Sequence, residues 1–271
     1  MKNNNSSKTK LSVIMGIYNQ KDKVALEQAV DSVLNQTFRK FEFLIYDDGS
    51  CAEDAEFLKQ LAAKDNRILL LRGEINLGLA HALNECLKVA KGEYIARMDG
   101  DDISAPERFW NQLDFLEKHA ECAFVGCSAE LFDRDGVWGY RQMAAQPGEK
   151  EFLKFSPYVH PSVMFRRSVL KNAGGYLETK DTRRCEDYEL FMRLYCMEYH
   201  GQNLGGRLFC YREDREWYDK RTFSQRIAEM KIRYRGFKAM GILSIRNLIY
   251  VGKPVVMVVL PRSLRRILRR K

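Results

Sequence analysis

The chain lacks the residue spacings that announce several common chemistries. Its seven cysteines form no C-x-x-C pair and stand beside no His-rich run. That argues against a zinc site or a disulfide framework and suits a reducing compartment. No G-x-G-x-x-G follows the first apolar stretch, and no G-x-x-x-x-G-K-[ST] occurs anywhere, so a dinucleotide dehydrogenase or a P-loop NTPase is disfavoured. Residues 1–10 are polar and basic without an apolar core; this segment is read as disordered, and no signal peptide is expected. No apolar run reaches the length that crosses a bilayer.

What is present is the composition of an ordinary globular chain, with 271 residues, 45% hydrophobic and 30% charged. The charge is unevenly placed. Residues 220–271 hold 15 Lys and Arg against one acid, Glu229, so the net +9 is a tail at +14 set against a body at −5. A basic tail of this kind suggests a polyanionic surface.

Apolar stretches and helical periodicity alternate through the first hundred residues. Leu11–Ile17 reads as a buried strand ending in Tyr18-Asn19, and residues 23–35 carry Leu26, Val30, Val33 and Leu34 at helical spacing. A second strand, Phe41–Tyr46, runs into Asp47-Asp48-Gly49-Ser50. Ser50-Cys51-Ala52-Glu53 has the form of a capping box, which predicts a helix from there to Lys64. Strand Ile68–Leu71, loop Arg72–Gly78, helix Leu79–Ala90 and strand Tyr94–Met98 follow. This alternation predicts an α/β fold, a Rossmann-like and mostly parallel sheet flanked by helices. Ligands in such sheets sit at the carboxyl ends of the strands. Three of those ends are polar here.

The last of them, Asp99-Gly100-Asp101-Asp102, packs three carboxylates into four residues. Their mutual repulsion is relieved by Mg2+ or Mn2+, which take carboxylate oxygens and then phosphate oxygens. An isolated D-x-D is more often a solvated turn; the convergence of three polar strand ends favours a site. Gly100 is read here as a residue allowing unusual backbone angles. Beyond it, Pro106 opens a helix to Lys118 whose Phe109, Trp110 and Phe115 are read as core. Residues 122–127 and 129–132 are strands before an Asp133–Gly136 turn, with Trp138 in a loop. Gly174-Gly175 is a tight turn, and a helix begins at Cys185-Glu186-Asp187.

In this order the residues resemble the inverting, nucleotide-sugar-dependent glycosyltransferases of family 2, with the GT-A fold. The markers are Ser12–Asn19, Ala29–Thr37, Asp47–Ser50, Asn76–Ala80 with Asn84, Arg97–Asp102, Pro106-Glu107-Arg108, His160-Pro161-Ser162 and Glu186–Leu190. Gly16 stands where the family usually has Pro. The resemblance implies that Tyr18 and Asn19 border the nucleotide base, that one carboxylate of Asp47 and Asp48 bonds it, and that Asp99 lies near the ribose or the metal. It implies Asp101 as the ligand of a Mg2+ or Mn2+ bridging the diphosphate, with Asp102 behind it, and Asp187 as the base that deprotonates the acceptor. Asn76 and Gly78 either cap a helix or line the nucleotide pocket. Arg97 either reaches the diphosphate or pairs with nearby acids. His160 either contacts acceptor or sugar or orients its loop. Glu186 is a further acceptor or loop candidate, and Trp138 is a candidate for stacking on an acceptor sugar.

The expectation is a GT-A domain over residues 11–215, split into a nucleotide half (11–105) and an acceptor half (106–215), followed by a basic amphipathic helical tail (216–271). In the tail, Pro254 and charged residues break the apolar run 242–260, and Leu264, Ile267 and Leu268 fall on one helical face of residues 261–271. That pattern suits an anionic membrane surface. The implied activity is transfer of one sugar from a nucleotide-sugar, UDP first, to a glycan or lipid-linked glycan acceptor, with inversion and metal assistance, at the inner face of the cell membrane. No nucleic-acid partner is expected. Two rival classes are an inactive binding module of this fold and a nucleotidyltransferase; Tyr18-Asn19-Gln20 does not supply the phosphate loop the second needs.

Overall fold

A computed structural model describes residues 9–214 and 222–259. In chain order the first elements are β1 (Leu11–Ile17), α1 (Lys23–Leu34), β2 (Phe41–Asp48), α2 (Ala52–Ala62), β3 (Ile68–Gly73), α3 (Leu79–Val89) and β4 (Tyr94–Arg97). They are followed by β5 (Ile103–Ser104), α4 (Arg108–Lys118), β6 (Phe124–Cys127), β7 (Ala129–Asp133), β8 (Gly136–Arg141), β9 (Met164–Arg166) and α5 (Arg167–Asn172). The last are α6 (Glu186–Cys196), β10 (Gly201–Leu204), β11 (Phe209–Arg212), α7 (Phe223–Ala239) and α8 (Leu248–Val259). The chain forms two compact units. Among the described residues, the first comprises 9–147, 157–176 and 199–214; the second comprises 148–156, 177–198 and 222–259.

The first unit holds both sheets. The larger runs in the order β10-β6-β9-β4-β1-β2-β3, parallel throughout except at β9, which is antiparallel to β4 and β6. Strand β1 is buried on both faces because helices cover both. Val13 and Met15 join Phe43, Ile45, Phe109 and Leu113 in one core, while Cys86 on α3 reaches the carbonyls of Met15 and Leu44 from the other side. This is why β1 reads as a continuous apolar run rather than an alternation. The chain winds from β1 to β2 and β3 on one side and crosses to β4 on the other. The crevice at that reversal is the ligand position of doubly wound sheets. Register sets Ile17 opposite Asp47 and Ile14 opposite Arg97, so the carboxyl ends of β1, β2 and β4 share one edge. Gly16 lets α3 approach β1: a Cβ there would lie 2.8 Å from Ala82 Cβ. The smaller sheet, β5-β11-β7-β8, stands at the end of the acidic segment.

The second unit is helical. Helix α6 buries Tyr188, Leu190, Phe191, Leu194 and Tyr195. Phe152 meets Tyr195 edge to face at 4.8 Å, and its carbonyl accepts the Tyr188 hydroxyl. Gly236 on α7 admits the Met192 thioether, whose sulfur would lie 2.2 Å from an added Cβ. Glu229 and Arg233 form a buried pair at 2.9 Å on α7, joined by Arg226 at 3.8 Å. Pro254 inside α8 has no N–H for the Tyr250 carbonyl; the Arg233 guanidinium lies 3.4 Å from that oxygen.

Four sequence expectations change. Helix α2 has Cys51 as its N-cap and no side-chain cap, because the Ser50 hydroxyl accepts the Asn19 amide at 3.0 Å and Glu53 pairs with Lys23. Trp110 is 59% exposed while its neighbour Phe109 is fully buried, since adjacent helical residues point 100° apart. Trp138 lies in strand β8, not in a loop. Gly100 does not take the left-handed conformation; it is small because a Cβ would lie 2.5 Å from Ile17 Cδ1. No helix among the described residues is long and apolar enough to cross a membrane. Residues 261–271 lie outside the described residues.

Candidate functional site

The three polar strand ends are tied together by their own side chains. Asn19 follows β1 in the left-handed conformation, φ 44°, which Asn tolerates better than most residues. Its amide donates to Ser50 Oγ, and its side-chain oxygen accepts the Cys51 amide at 2.9 Å. Gln20 reaches the Gly100 carbonyl at 3.4 Å, linking the first loop to the acidic segment. Tyr18 beside them is exposed.

Asp47 and Asp48 end β2 fully buried, and each is held by the protein. Asp47 Oδ1 accepts the Ser50 amide at 2.9 Å; its Oδ2 makes no hydrogen bond and faces the Arg72 guanidinium, with Nη1 at 3.0 Å. Asp48 accepts three donors: Asn76 Nδ2 at 2.9 Å, the Leu77 amide at 3.0 Å and the Gly78 amide at 2.7 Å. Asn76 and Gly78 are thereby bound to Asp48 at the entry to α3, where Gly78 is the N-cap at φ 102°. Gly49 is required between these groups: φ is +74°, and a Cβ would lie 2.6 Å from the Ile75 carbonyl carbon.

The β4 end is different. Arg97 is buried and pairs through Nη1 with Asp99, while its Nε has no hydrogen-bond partner. Asp99, Asp101 and Asp102 each turn one oxygen into a space where the three lie within 4.8 Å of one another. Asp102 is 1% exposed. Its Oδ1 accepts the Arg212 amide at 2.7 Å, and its Oδ2 is buried without a partner. Burial, with Asp99 beside it, pushes the Asp101 carboxyl up to about 6. Burial and the charges of Asp99 and Asp101 push Asp102 up as well. Three hard oxygen donors, one of them unpaired and two reluctant to ionise beside each other, fit a divalent cation of the Mg2+ or Mn2+ type. Asp102 stands with Asp99 and Asp101 in that donor set.

His160 is buried in a short turn, with Nε2 2.8 Å from the Tyr176 hydroxyl. Burial first and the Arg97 charge second hold its pKa well below the usual imidazole range, so the ring is neutral. Tyr176 is clamped by Asn84, which exchanges two 2.8 Å bonds with its backbone. Trp138 donates its indole N–H to the Glu213 carbonyl at 2.7 Å, which ties β8 to the segment after β11. Asp187 and Glu186 lie in the second unit, in the first turn of α6, where the helix dipole favours acids.

Sequence reasoning missed Arg212, whose amide and guanidinium hold Asp102 and the Asp101 carbonyl from β11. Nothing near it in the sequence marks it. It also missed Tyr176, for which the preceding Gly174-Gly175 turn is a weak signal. The markers Gln36 and Arg108 prove to be supports. Gln36 bonds the Ala105 carbonyl at 2.6 Å, and the buried Arg108 bonds the Arg97 carbonyl at 2.9 Å beneath the acids.

The sequence profile described as "Glycosyl transferase family 2" matches residues 12–174. The chain belongs to glycosyltransferase family 2. EpsE of Bacillus subtilis strain 168, which carries a glycosyltransferase name, is 36% identical over 259 residues, covering 95% of this chain and 92% of that protein. A second relative, from Escherichia coli, is named UDP-Gal:alpha-D-GlcNAc-diphosphoundecaprenol beta-1,3-galactosyltransferase. It is 28% identical over 265 residues, covering 94% of each chain. Among solved structures, S. aureus TarS 1-349 in complex with UDP-GlcNAc superposes with a TM-score of 0.70 at 17% identity, covering 94% of this chain and 77% of that one. The fold is therefore GT-A, and the family 2 chain described here is a glycosyltransferase.

Proposed function

We propose that this enzyme transfers one sugar from a UDP-sugar to a glycan or lipid-linked glycan acceptor, with inversion at the anomeric carbon. The observation that carries the reading is the Asp99, Asp101 and Asp102 cluster, a donor set for a divalent cation at the carboxyl end of β4. When bound, that cation supplies Lewis-acid stabilisation of the departing diphosphate. Asp48 is committed to Asn76, Leu77 and Gly78, which makes Asp47 the carboxylate for the base and Asp48 the residue that shapes the loop beside it. Tyr18 is exposed at the end of β1 and borders the base, with Asn19 fixing that loop against Ser50. Arg97 neutralises Asp99, which is directed to ribose or cation. Neutral His160 orients its turn through Tyr176 and offers the acceptor a group without charge. Asp187 takes the acceptor proton, since inversion needs a base opposite the leaving group; Glu186 adjoins it. Trp138 is occupied with the Glu213 carbonyl and is the weakest of the acceptor candidates.

The name of the E. coli relative supports a lipid-diphosphate-linked acceptor, and the basic residues 261–271 support a peripheral contact at the inner membrane face. A hydrolysis and transfer screen across nucleotide sugars with Mn2+ and with Mg2+ tests the reading. Turnover of a UDP-sugar is expected. With Asp187→Asn, transfer to an acceptor is expected to fall about 100-fold or more while UDP binding is kept. No donor turned over at all would overturn the activity, and full transfer by Asp187→Asn would overturn the base.

A further inference from the structure

Helix α8 and the turn before it wear their apolar residues on the outside. Ile245 is 90% exposed, Ile249 72% and Val256 53%. Within α8, Leu248, Ile249, Gly252 and Val256 recur at i, i+1, i+4 and i+8, which is one stripe of a helix, and Ile245 stands in the turn that leads into it. The opposite side carries Val251 and Pro254, which are buried. A helix of a water-soluble protein normally shows the reverse on its open face, and a contiguous apolar stripe facing water is a surface to be covered.

The surrounding charge says by what. Arg246, in the turn beside Ile245, is exposed, whereas Lys253 is half-buried, its charge disfavoured by burial and by Arg233 and Lys154. Lys238 is exposed near the end of α7. No ion pair among the described residues involves these three cations. The acid on α7, Glu229, is already buried against Arg233 and Arg226, and Asp181 is engaged by Lys231 and Arg235 at 3.5 Å. A second copy packed on this stripe would bring two cationic edges together. Residues 260–271 of the chain itself hold six Lys and Arg and no acid, so they meet the same repulsion.

We propose that the Ile245–Val256 face is a docking surface for an anionic lipid bilayer: the isoleucines and Val256 enter the headgroup boundary while the exposed Arg246 and Lys238 meet lipid phosphates. Apolar insertion combined with basic flanks is how interfacial helices bind anionic membranes. The inference deepens the peripheral-membrane part of the function proposed above. It assigns a contact to a folded helix in addition to residues 261–271.

Co-flotation of the full chain with vesicles tests it, using phosphatidylcholine alone and phosphatidylcholine with about 30% phosphatidylglycerol, a composition in the anionic range where basic flanks act. Two full-length variants separate the two contacts: Ile245→Ser/Ile249→Ser/Val256→Ser, and Arg265→Gln/Arg266→Gln/Arg269→Gln/Arg270→Gln. The three serine positions are exposed, so an unchanged melting temperature is expected and verifies folding. The wild type is expected to float with anionic and not with neutral vesicles, and the serine variant to bind at least about tenfold more weakly. If the serine variant floats like wild type, the α8 proposal falls. If that result comes with loss of binding in the glutamine variant, the tail reading stands alone. If wild type binds neither vesicle the proposal is overturned, and a wild-type dimer that the serine variant turns into a monomer would show that a second copy covers the stripe.

Discussion

The ends of β2 and β4 look alike in sequence and are opposites in physics. Asp47-Asp48-Gly49-Ser50 and Asp99-Gly100-Asp101-Asp102 both place adjacent carboxylates beside a glycine at a strand terminus. At the first, four hydrogen-bond donors and the Arg72 guanidinium meet the two carboxylates; Asp47 Oδ2 makes no hydrogen bond but faces that cation at 3.0 Å, and Gly49 has the positive φ the turn needs. The second is left in conflict, with an unpaired buried oxygen on Asp102 and the Asp101 carboxyl raised to about 6 by burial beside Asp99. Both segments cost desolvation and both leave one buried oxygen without a hydrogen bond; at the first a guanidinium faces that oxygen, while at the second two further carboxylates stand beside its residue. The second is where a cation has most free energy to gain, so buried charge marks a site by the sign of what stands beside it more than by its density.

The comparison can be broken at its strongest point first. Asp101→Asn is expected to lower sugar transfer about 1,000-fold, the several kcal/mol that a lost metal ligand costs, measured as initial rate at saturating donor and Mn2+. Asp48→Ala is expected to act on folding instead. It strands three donors and lowers stability by about 2 kcal/mol, read from urea unfolding, with a raised KM for donor because the Asn76–Gly78 loop loses its anchor. An activity loss with unchanged stability in Asp48→Ala would erase the distinction between the two ends.

The same logic predicts a gain. Asp101 holds its proton more tightly folded than unfolded, so in metal-free protein its ionisation costs stability as pH rises from the ordinary carboxylate range through about 6. Asp101→Asn is therefore expected to stabilise the protein in EDTA at neutral pH by roughly 1–2 kcal/mol, seen as a higher melting temperature. The smallest effect is on the pH profile of metal binding. Protonation of Asp101 removes a ligand, so the rise in melting temperature given by Mn2+ should be complete about one unit above pH 6 and fade about one unit below it. A pH-independent rise would place the cation elsewhere.

The strand ends were legible because a parallel sheet writes its core as apolar runs and its ligand edge as the polar residues that follow them. The seven-stranded order was not, since β9 and β10 are short and their pairing rests on contacts across long sequence separations. Each carboxylate was visible in the sequence; its state was not. Whether Asp48 is free depends on Leu77 and Gly78 turning their amides toward it, and Asp102 is oriented by Arg212 from 110 positions away. The α2 cap failed for a related reason: Ser50 had a better partner in Asn19 than in its own helix. The outward stripe of α8 was hidden too, because helical periodicity reports a face without saying which side of the helix is buried.

The account rests on a cation held by Asp99, Asp101 and Asp102, and calorimetric titration of Mn2+ into wild-type and Asp101→Asn protein in the presence of UDP tests it most directly. One Mn2+ bound per wild-type chain, with affinity lost in the variant, is the predicted result. Equal binding by both proteins, or none by the wild type, would contradict it.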